Sequence, residues 1–281
     1  MNDGIAVIGG GTMGVGIAYV AALAGYDVYV AEPDDARGAA MARTIDTTLA
    51  GAIARGKLAE DDRAAAAARV RRVPTIEALP TDLAVIVESV PERINLKRDV
   101  LSRAAARAPR LLATNTSAMS IDALAGSVTD PATFLGLHFF NPVWSLKLLE
   151  IVVGAATSPE TLAAAQAFGA RIGKETITVR DIPGFATSRL DFAAALEAMR
   201  MLEDGVASAD DIDRAAVLAY RHPVGPLRLS DIVGLDVRLE VARTLEAAHG
   251  ARFAPPAILL KMVAEGRLGA KSCRGFFDWP A

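Results

Sequence analysis

The sequence contains only one cysteine, Cys273, in 281 residues, and charges or glycines interrupt every apolar stretch before it reaches membrane-spanning length. One thiol cannot build an internal disulfide framework or a cysteine metal site, so we expect a reducing compartment and no bound metal. The first residues run directly into an apolar segment, without the basic region and long apolar region of a secretory signal. These features predict a cytoplasmic protein that does not enter a membrane.

The sequence also lacks an excess of charge of either sign. Thirty Lys and Arg residues against thirty-three Asp and Glu residues give a net charge of -3 at pH 7. This balance favours small-molecule chemistry over binding to nucleic acid or to an anionic membrane. At about 150 residues per domain the length predicts two domains, and 52% hydrophobic residues can supply their cores.

Short apolar runs alternate with helical segments through the first 180 residues. The runs are nearly continuous, which is typical of parallel strands that are covered on both faces. They predict an α/β fold with a Rossmann-type, doubly wound parallel sheet. The alanine-rich segment 64–70 predicts only a helix. The predicted strands are residues 5–8, 28–31, 83–87, 111–114 and 134–139, with added strands at 148–154 and 176–179.

The pattern changes after residue 182, where apolar runs give way to long amphipathic segments that continue to about residue 265. We therefore expect a dinucleotide-binding domain at residues 1–182 and an all-helical domain at residues 183–281. A helical unit of that size leaves an apolar face that packs against the first domain, another subunit, or both.

A glycine-rich segment, GGGTMG at residues 9–14, follows the first predicted strand and opens the first helix. In the G-x-G-x-x-G pattern, Gly9 permits the tight turn, Gly11 lets the backbone approach a pyrophosphate, and Gly14 lets the helix pack on the strand. Thr12 and Met13 lie at the helix N-terminus, whose N–H groups attract the phosphates. The alternative is a set of ordinary turn glycines.

A carboxylate, Glu32, follows the second predicted strand, eighteen residues beyond Gly14. It can accept both hydroxyls of an adenosine ribose and would repel a 2'-phosphate, so it favours NAD over NADP. Arg37 is the nearby residue that could weaken this preference. The alternative is a solvated glutamate.

Polar residues also follow three further predicted strands, in ESVPE (88–92), NTSAMS (115–120) and HFFNP (138–142). The carboxyl ends of parallel strands meet at one edge of the sheet, so these segments converge where a bound dinucleotide would receive its substrate.

Together with LLEIV, DIPGF, HPVGP, DIVGLD and GRLGAKSCRGFFDW, in the same order, these motifs resemble the L-3-hydroxyacyl-CoA dehydrogenase family, particularly its bacterial 3-hydroxybutyryl-CoA members. The resemblance covers essentially the whole chain. It implies the reversible, NAD-dependent oxidation of a short (3S)-3-hydroxyacyl-CoA in fatty acid metabolism and β-oxidation. It also implies a homodimer formed through the C-terminal domain.

The resemblance assigns the chemistry to His138 as general acid/base, a role that suits a side chain whose ordinary pKa is about 6.5. Glu150 would orient the ring, although it could also be a buried structural acid. Ser117 would contact the substrate C3 oxygen, unless it is a helix N-cap. Ser188 stands where the family commonly has an asparagine that borders the substrate.

Other positions are implied as ligand contacts. The further cofactor contacts are Glu92, Lys97, Ser117, Asn141 and Lys271, with both lysines equally consistent with solvated side chains. The acyl-CoA contacts are Thr48, Arg55 and Lys57, in a predicted helix at 44–57 whose end could simply be solvated.

Two positions depart from the family pattern, and the first of them keeps another function open. Ser188 has a shorter reach than asparagine, and Cys273 occupies a position that is usually glycine in the family. One alternative is therefore a non-catalytic NAD-binding protein, since a fold alone does not fix function. The other is a dehydrogenase for a free hydroxy acid or sugar acid. His222 and His249 are interpreted as structural.

Overall fold

The structure is a computed structural model that describes residues 3–280. Its contacts divide the chain into two compact units that meet at Ile182 and Pro183. The first unit contains the strands β1 (Ile5–Ile8), β2 (Val28–Ala31), β3 (Val70–Val73), β4 (Val85–Glu88), β5 (Leu111–Thr114), β6 (Phe134–Phe139), β7 (Leu148–Val153) and β8 (Glu175–Arg180). Its helices are α1 (Thr12–Leu23), α2 (Asp35–Ala54), α3 (Glu60–Ala68), α4 (Ile94–Ala105), α5 (Ile121–Ala125) and α6 (Pro159–Arg171).

The strands form one sheet in the order β3-β2-β1-β4-β5-β6-β7-β8. From β1 the chain builds outward on one side, through β2 to β3. It then crosses to the opposite side of β1, where β4 lies, so the direction in which strands are added reverses beside β1. Ligands of such sheets bind at the carboxyl ends of the strands at this reversal. Ile8 pairs with Ala31 on one side and with Glu88 on the other, so the three strands end level. The predicted α/β class and doubly wound sheet are confirmed.

The sheet is not wholly parallel, because β6 and β7 pair in the antiparallel direction. Only residues 140–147 connect these strands. A parallel crossover needs about a dozen residues or more, so a connection of this length returns the chain antiparallel.

The strand β3 was not predicted. Its sequence, VRRV, carries two arginines and is only half-buried at the sheet edge, so it lacks the continuous apolar run of the central strands. The helical prediction for 64–70 was wrong at its end, because α3 ends at Ala68 and Val70 begins the strand. The central runs behave as expected, since β1, β5 and β6 are buried along their whole length.

The second unit is helical, with α7 (Thr187–Glu203), α8 (Ala209–Tyr220), α9 (Pro226–Val233), α10 (Leu235–His249) and α11 (Ala257–Ala264). Buried residues from all five helices form its core, including Leu196, Met199, Leu227, Leu235 and Leu259. No helix among residues 3–280 has the length and apolar character needed to cross a bilayer.

A buried carboxylate, Asp231 of α9, fixes the C-terminal segment of this unit. One oxygen accepts the backbone N–H of Phe276 at 2.9 Å, and the other accepts the N–H of Phe277 and the indole N–H of Trp279, both at 2.9 Å. Asp231 has no exposed surface. A side chain at Gly275 would overlap this carboxylate, because its Cβ would lie 2.1 Å from the nearer oxygen.

Cys273 lies in the left-handed region, with φ of 59°. This backbone conformation strains residues that carry a Cβ, and it explains why glycine suits the position. The thiol itself is exposed.

We expect Asp231→Asn to destabilise the protein by about 2 kcal/mol or more, because an amide leaves buried N–H donors without acceptors. Urea unfolding followed by tryptophan fluorescence measures the effect. Asp278→Asn, whose side chain is 96% exposed and faces Arg274 at 4.0 Å, is the matched control and should change little. Equal stability of the two variants would contradict the assigned role of Asp231.

Candidate active site

The glycine loop connects β1 to α1, and two of its predicted glycines, Gly9 and Gly14, are required by close steric contacts. Gly9 has φ of +108°, and a Cβ there would lie 2.7 Å from the Ser89 carbonyl oxygen. A Cβ on Gly14 would lie 1.9 Å from the Gly9 carbonyl oxygen, so only glycine permits this packing of helix against turn. Gly11 differs, because a Cβ there would meet nothing within 4 Å. The space over Gly11 is therefore the place where a ligand can approach the backbone.

Glu32 is 4% exposed and is not a solvated side chain. Its Oε2 accepts the Gly10 N–H at 2.9 Å, and its Oε1 accepts the Asp34 N–H at 2.9 Å. Arg37 approaches Oε1 at 3.6 Å, while most of its own side chain is exposed. The carboxylate is therefore fixed by backbone donors beside the glycine loop.

A cavity of about 690 Å³ extends along this edge of the sheet, past the ends of β1, β2, β4 and β5. It has the size of a small-molecule or cofactor site. Its wall includes predicted residues Gly9, Gly11, Thr12, Met13, Glu32, Glu92 and Ser117. The open space over Gly11, the N-terminus of α1 and the carboxylate of Glu32 fit the pyrophosphate and adenosine ribose of NAD.

His138 and Glu150 are direct partners in the antiparallel pairing of β6 with β7. The His138 Nδ1 atom lies 2.8 Å from Glu150 Oε2. Glu150 has no exposed surface and His138 is 7% exposed, so water does not screen the contact. The Phe140 ring packs against the imidazole at 4.3 Å between centroids. This packing and the strand pairing fix the orientation of the imidazole.

Ser117 is exposed in the loop after β5, and it is not a helix cap. The cap of α5 is Ser120, whose Oγ accepts the Ala123 N–H at 3.1 Å. The Ser117 N–H donates to Glu92 Oε1 at 3.3 Å, and the Thr116 hydroxyl donates to the same oxygen. Glu92 therefore holds the loop that presents the Ser117 side chain to the cavity.

Lys97 is not the solvated lysine that the sequence left open, because its side chain has no exposed surface. Its Nζ lies 2.8 Å from Glu88 Oε1 and 3.2 Å from Glu92 Oε2. It does not line the cavity. The Lys97 ammonium group therefore does not face the cavity itself. It pairs with Glu92, whose side chain lines the cavity.

Two polar residues of the site were missed as individual candidates. Glu88 ends β4 with no exposed surface, and Thr114 donates its hydroxyl to Glu88 Oε2 at 2.6 Å. Asn115 lines the cavity and accepts the Phe139 N–H at 2.9 Å, which ties the end of β5 to β6. Their position in the sequence could have identified them, since both stand in polar segments at the ends of buried strands. Asn141, which was predicted, is exposed in the connection after β6.

Ser188 and Lys271 belong to the second unit. Ser188 is half-buried in the first turn of α7. Lys271 Nζ lies 2.5 Å and 2.6 Å from the two carboxylate oxygens of Asp236, so it is an ion-paired lysine. Hydrogen bonding from Lys271 lowers the pKa of Asp236.

The predicted acyl-CoA contacts lie at the C-terminal end of α2 and beyond it. Thr48 donates its hydroxyl to the Thr44 carbonyl at 2.7 Å within the helix. The helix ends at Ala54, so the predicted helical segment 44–57 is too long. Arg55 and Lys57 are exposed just after the helix. No group of three or more potential metal-ligating side chains occurs in the part of the chain that the structure describes.

Comparison with known proteins identifies the family. Residues 4–182 match the 3-hydroxyacyl-CoA dehydrogenase, NAD binding domain, and residues 184–279 match the 3-hydroxyacyl-CoA dehydrogenase, C-terminal domain. A 3-hydroxybutyryl-CoA dehydrogenase of Mycobacterium tuberculosis is 37% identical over 287 aligned positions, covering 99% of this chain and 100% of that protein. A 3-hydroxyadipyl-CoA dehydrogenase of Escherichia coli is also 37% identical, covering 99% of this chain and 59% of that protein.

Among solved structures, the (S)-3-hydroxybutyryl-CoA dehydrogenase of Ralstonia eutropha superposes with a TM-score of 0.95 at 34% identity, with 100% of both chains covered. The fold, the cavity and the matched domains define an NAD-dependent oxidoreductase. The chain belongs to the 3-hydroxyacyl-CoA dehydrogenase family. The resemblance seen in the sequence is confirmed.

Gly11→Ala and Gly14→Ala form a matched pair that separates ligand approach from packing. Gly11→Ala should leave the free energy of unfolding within about 1 kcal/mol of wild type, because its Cβ meets no atom. It should weaken NADH binding by about tenfold or more, because the Cβ fills the space that a pyrophosphate needs. Gly14→Ala should be markedly unstable. Thermal unfolding and NADH titration measure the two effects, and unchanged NADH affinity in Gly11→Ala would place the cofactor elsewhere.

Proposed function

We propose that this protein catalyses the reversible oxidation of a short (3S)-3-hydroxyacyl-CoA, such as 3-hydroxybutyryl-CoA, to the 3-ketoacyl-CoA. The observation that carries the proposal is the buried contact of 2.8 Å between His138 Nδ1 and Glu150 Oε2 at the end of β6. A histidine oriented by a buried carboxylate is the arrangement that positions a ring nitrogen for proton transfer. The names of the bacterial relatives supply the substrate class.

Bound NAD supplies the acceptor for the C3 hydride, so the protein has to hold two reactants and transfer one proton. Glu32 and the glycine loop would hold the adenosine ribose and pyrophosphate. Glu92, Ser117 and Asn141 would contact the nicotinamide half, with Lys97 acting through Glu92.

The hydrogen-bonding pattern determines which nitrogen of His138 exchanges the proton. An ionised carboxylate only accepts hydrogen bonds, so Nδ1 carries a hydrogen and donates it to Glu150. The Nε2 atom then takes the proton of the C3 hydroxyl during oxidation and returns it during reduction. Glu150 stabilises the positive charge that the ring gains.

The proposed substrate also implies which residues contact it. The exposed hydroxyl of Ser117 would donate to the C3 oxygen. Arg55 and Lys57 are exposed cations that suit the CoA phosphates, with Thr48 about two turns earlier, on α2.

The non-catalytic alternative is disfavoured by the His138–Glu150 contact. A carboxylate without exposed surface is costly to bury, and a binding protein gains nothing from placing it behind a histidine. Activity on a hydroxy acid without the CoA moiety would support the other alternative, a free-acid dehydrogenase.

His138→Gln should lower the rate of acetoacetyl-CoA reduction by at least about a hundredfold, because glutamine cannot donate the proton. The loss of NADH absorbance measures the rate. His222→Gln is the matched control, since His222 is exposed in the second unit and should not affect turnover. A His138→Gln enzyme as active as this control would remove His138 from the mechanism.

We further propose that the protein works as a homodimer formed through its helical unit, in the reducing cytoplasm that a single free cysteine suits. Large apolar side chains are exposed in this unit, and a second copy could cover them. They include Leu190, Val206, Leu218, Tyr220 and Ile232, each more than half exposed.

Sedimentation equilibrium should give twice the chain mass of 29.4 kDa. Burial of these side chains between two copies would account for that mass. A mass equal to one chain at micromolar concentration would contradict the dimer.

A further inference from the structure

A buried cluster of charged side chains lies under one end of the cavity. We call Glu88, Lys97 and Glu92 the Glu88 cluster. Lys97 Nζ lies 2.8 Å and 3.0 Å from the two oxygens of Glu88, and 3.2 Å from Glu92 Oε2. Glu88 and Lys97 have no exposed surface, whereas the Glu92 side chain is 38% exposed and lines the cavity.

The cluster contains two carboxylates but only one ammonium group, so its formal charge is -1. The other groups that hold Glu88 are neutral donors, namely the Val90 N–H at 2.7 Å and the Thr114 hydroxyl at 2.6 Å. Within residues 3–280, no other cationic side chain lies within 4.0 Å of either carboxylate. Arg93 also lines the cavity, but it is exposed, where water screens its charge.

The position of the cluster relates it to one half of the cofactor. Glu32 lies at the end of β2, Gly11 follows β1, and the Glu88 cluster follows β4. With the adenosine ribose at Glu32 and the pyrophosphate at Gly11, the nicotinamide half has to lie toward β4 and β5. The uncompensated negative charge is therefore nearest to the only part of the cofactor whose charge changes in the reaction.

We propose that the charge of Glu88, although this residue does not line the cavity, shifts the relative affinity of the protein toward the oxidised cofactor. The nicotinamide ring is positively charged in NAD⁺ and neutral in NADH, so a net negative charge beneath it stabilises only the oxidised form. Because the side chains of Glu88 and Lys97 have no exposed surface, their charges act at a low effective dielectric constant. The proposal rests on the proposed function, since it takes the cavity as the cofactor site.

Equilibrium binding of NAD⁺ and of NADH, measured by calorimetry without acyl-CoA, tests the proposal. Glu88→Gln keeps the shape of the side chain and leaves the cluster with a formal charge of zero. The ratio Kd(NAD⁺)/Kd(NADH) should rise by about threefold or more, the scale of one charge acting across roughly 10 Å of protein. A purely structural role for Glu88 would change both dissociation constants together and leave the ratio fixed.

Two further variants test whether the effect depends on the net charge of the cluster or on the identity of Glu88. Glu88→Gln combined with Lys97→Met returns the cluster to -1 and should restore the wild-type ratio. Glu92→Gln removes the same charge from a residue that also holds the Ser117 loop, so both dissociation constants should change, but their ratio should rise as it does in Glu88→Gln. If Glu88→Gln fails to fold by circular dichroism, Glu92→Gln decides the question.

Asp99→Asn is the matched control. Asp99 lines the same cavity and its removal changes the charge by the same amount, but its side chain is 62% exposed and pairs with Arg103. Its ratio should equal that of wild type.

An unchanged ratio in Glu88→Gln or in Glu92→Gln would overturn the proposal, and so would a double variant that keeps the raised ratio. Failure of the proposed function gives a different result, because wild type would then bind neither cofactor or would reduce no acyl-CoA substrate.

Discussion

The contact between the His138 ring and the Glu150 carboxylate depends on the one place where the sheet runs antiparallel. Removing a charge from water costs several kcal/mol, so a carboxylate without exposed surface needs a donor, and the imidazole provides one. The two side chains face each other because β6 and β7 pair directly, residue against residue. A helical crossover would have placed Glu150 on a parallel strand in a different register. The short return of the chain thus makes a histidine and a glutamate twelve positions apart into one fixed unit.

The carboxylates of Glu32 and Glu88, near opposite ends of the cavity, are held by different kinds of donor. Glu32 is held by backbone N–H groups, which are fixed dipoles and leave its full negative charge facing the ribose. Glu88 is held by the Lys97 ammonium, which it shares with Glu92. Both carboxylates stand at the ends of strands that pair with β1, so the sheet register places them on either side of the glycine loop.

The helical unit uses a buried carboxylate for a different purpose. Asp231 accepts three N–H groups from the segment 276–279 and so joins two sequence motifs, DIVGLD and GRLGAKSCRGFFDW, that lie far apart in the chain. This contact gives the second motif a structural explanation, and it accounts for the glycine at position 275. It also fixes the course of the chain after Cys273 without any contribution from the thiol.

The sequence by itself determined the central strands and the glycine loop. Resemblance to the family pointed to His138 and Glu150, and the pairing of β6 with β7 decided their contact. Continuous apolar runs can only be buried strands or helices. Gly9 and Gly14 meet steric limits set by their own neighbours, whereas Gly11 leaves open space for a ligand. Only the tertiary structure decided that Lys97 is fully buried, that Glu88 and Asn115 belong to the site, and that β3 forms the sheet edge. The physical reason is that burial of a charge depends on partners distant in sequence, such as Thr114 with Glu88, and residue type and spacing do not specify those contacts.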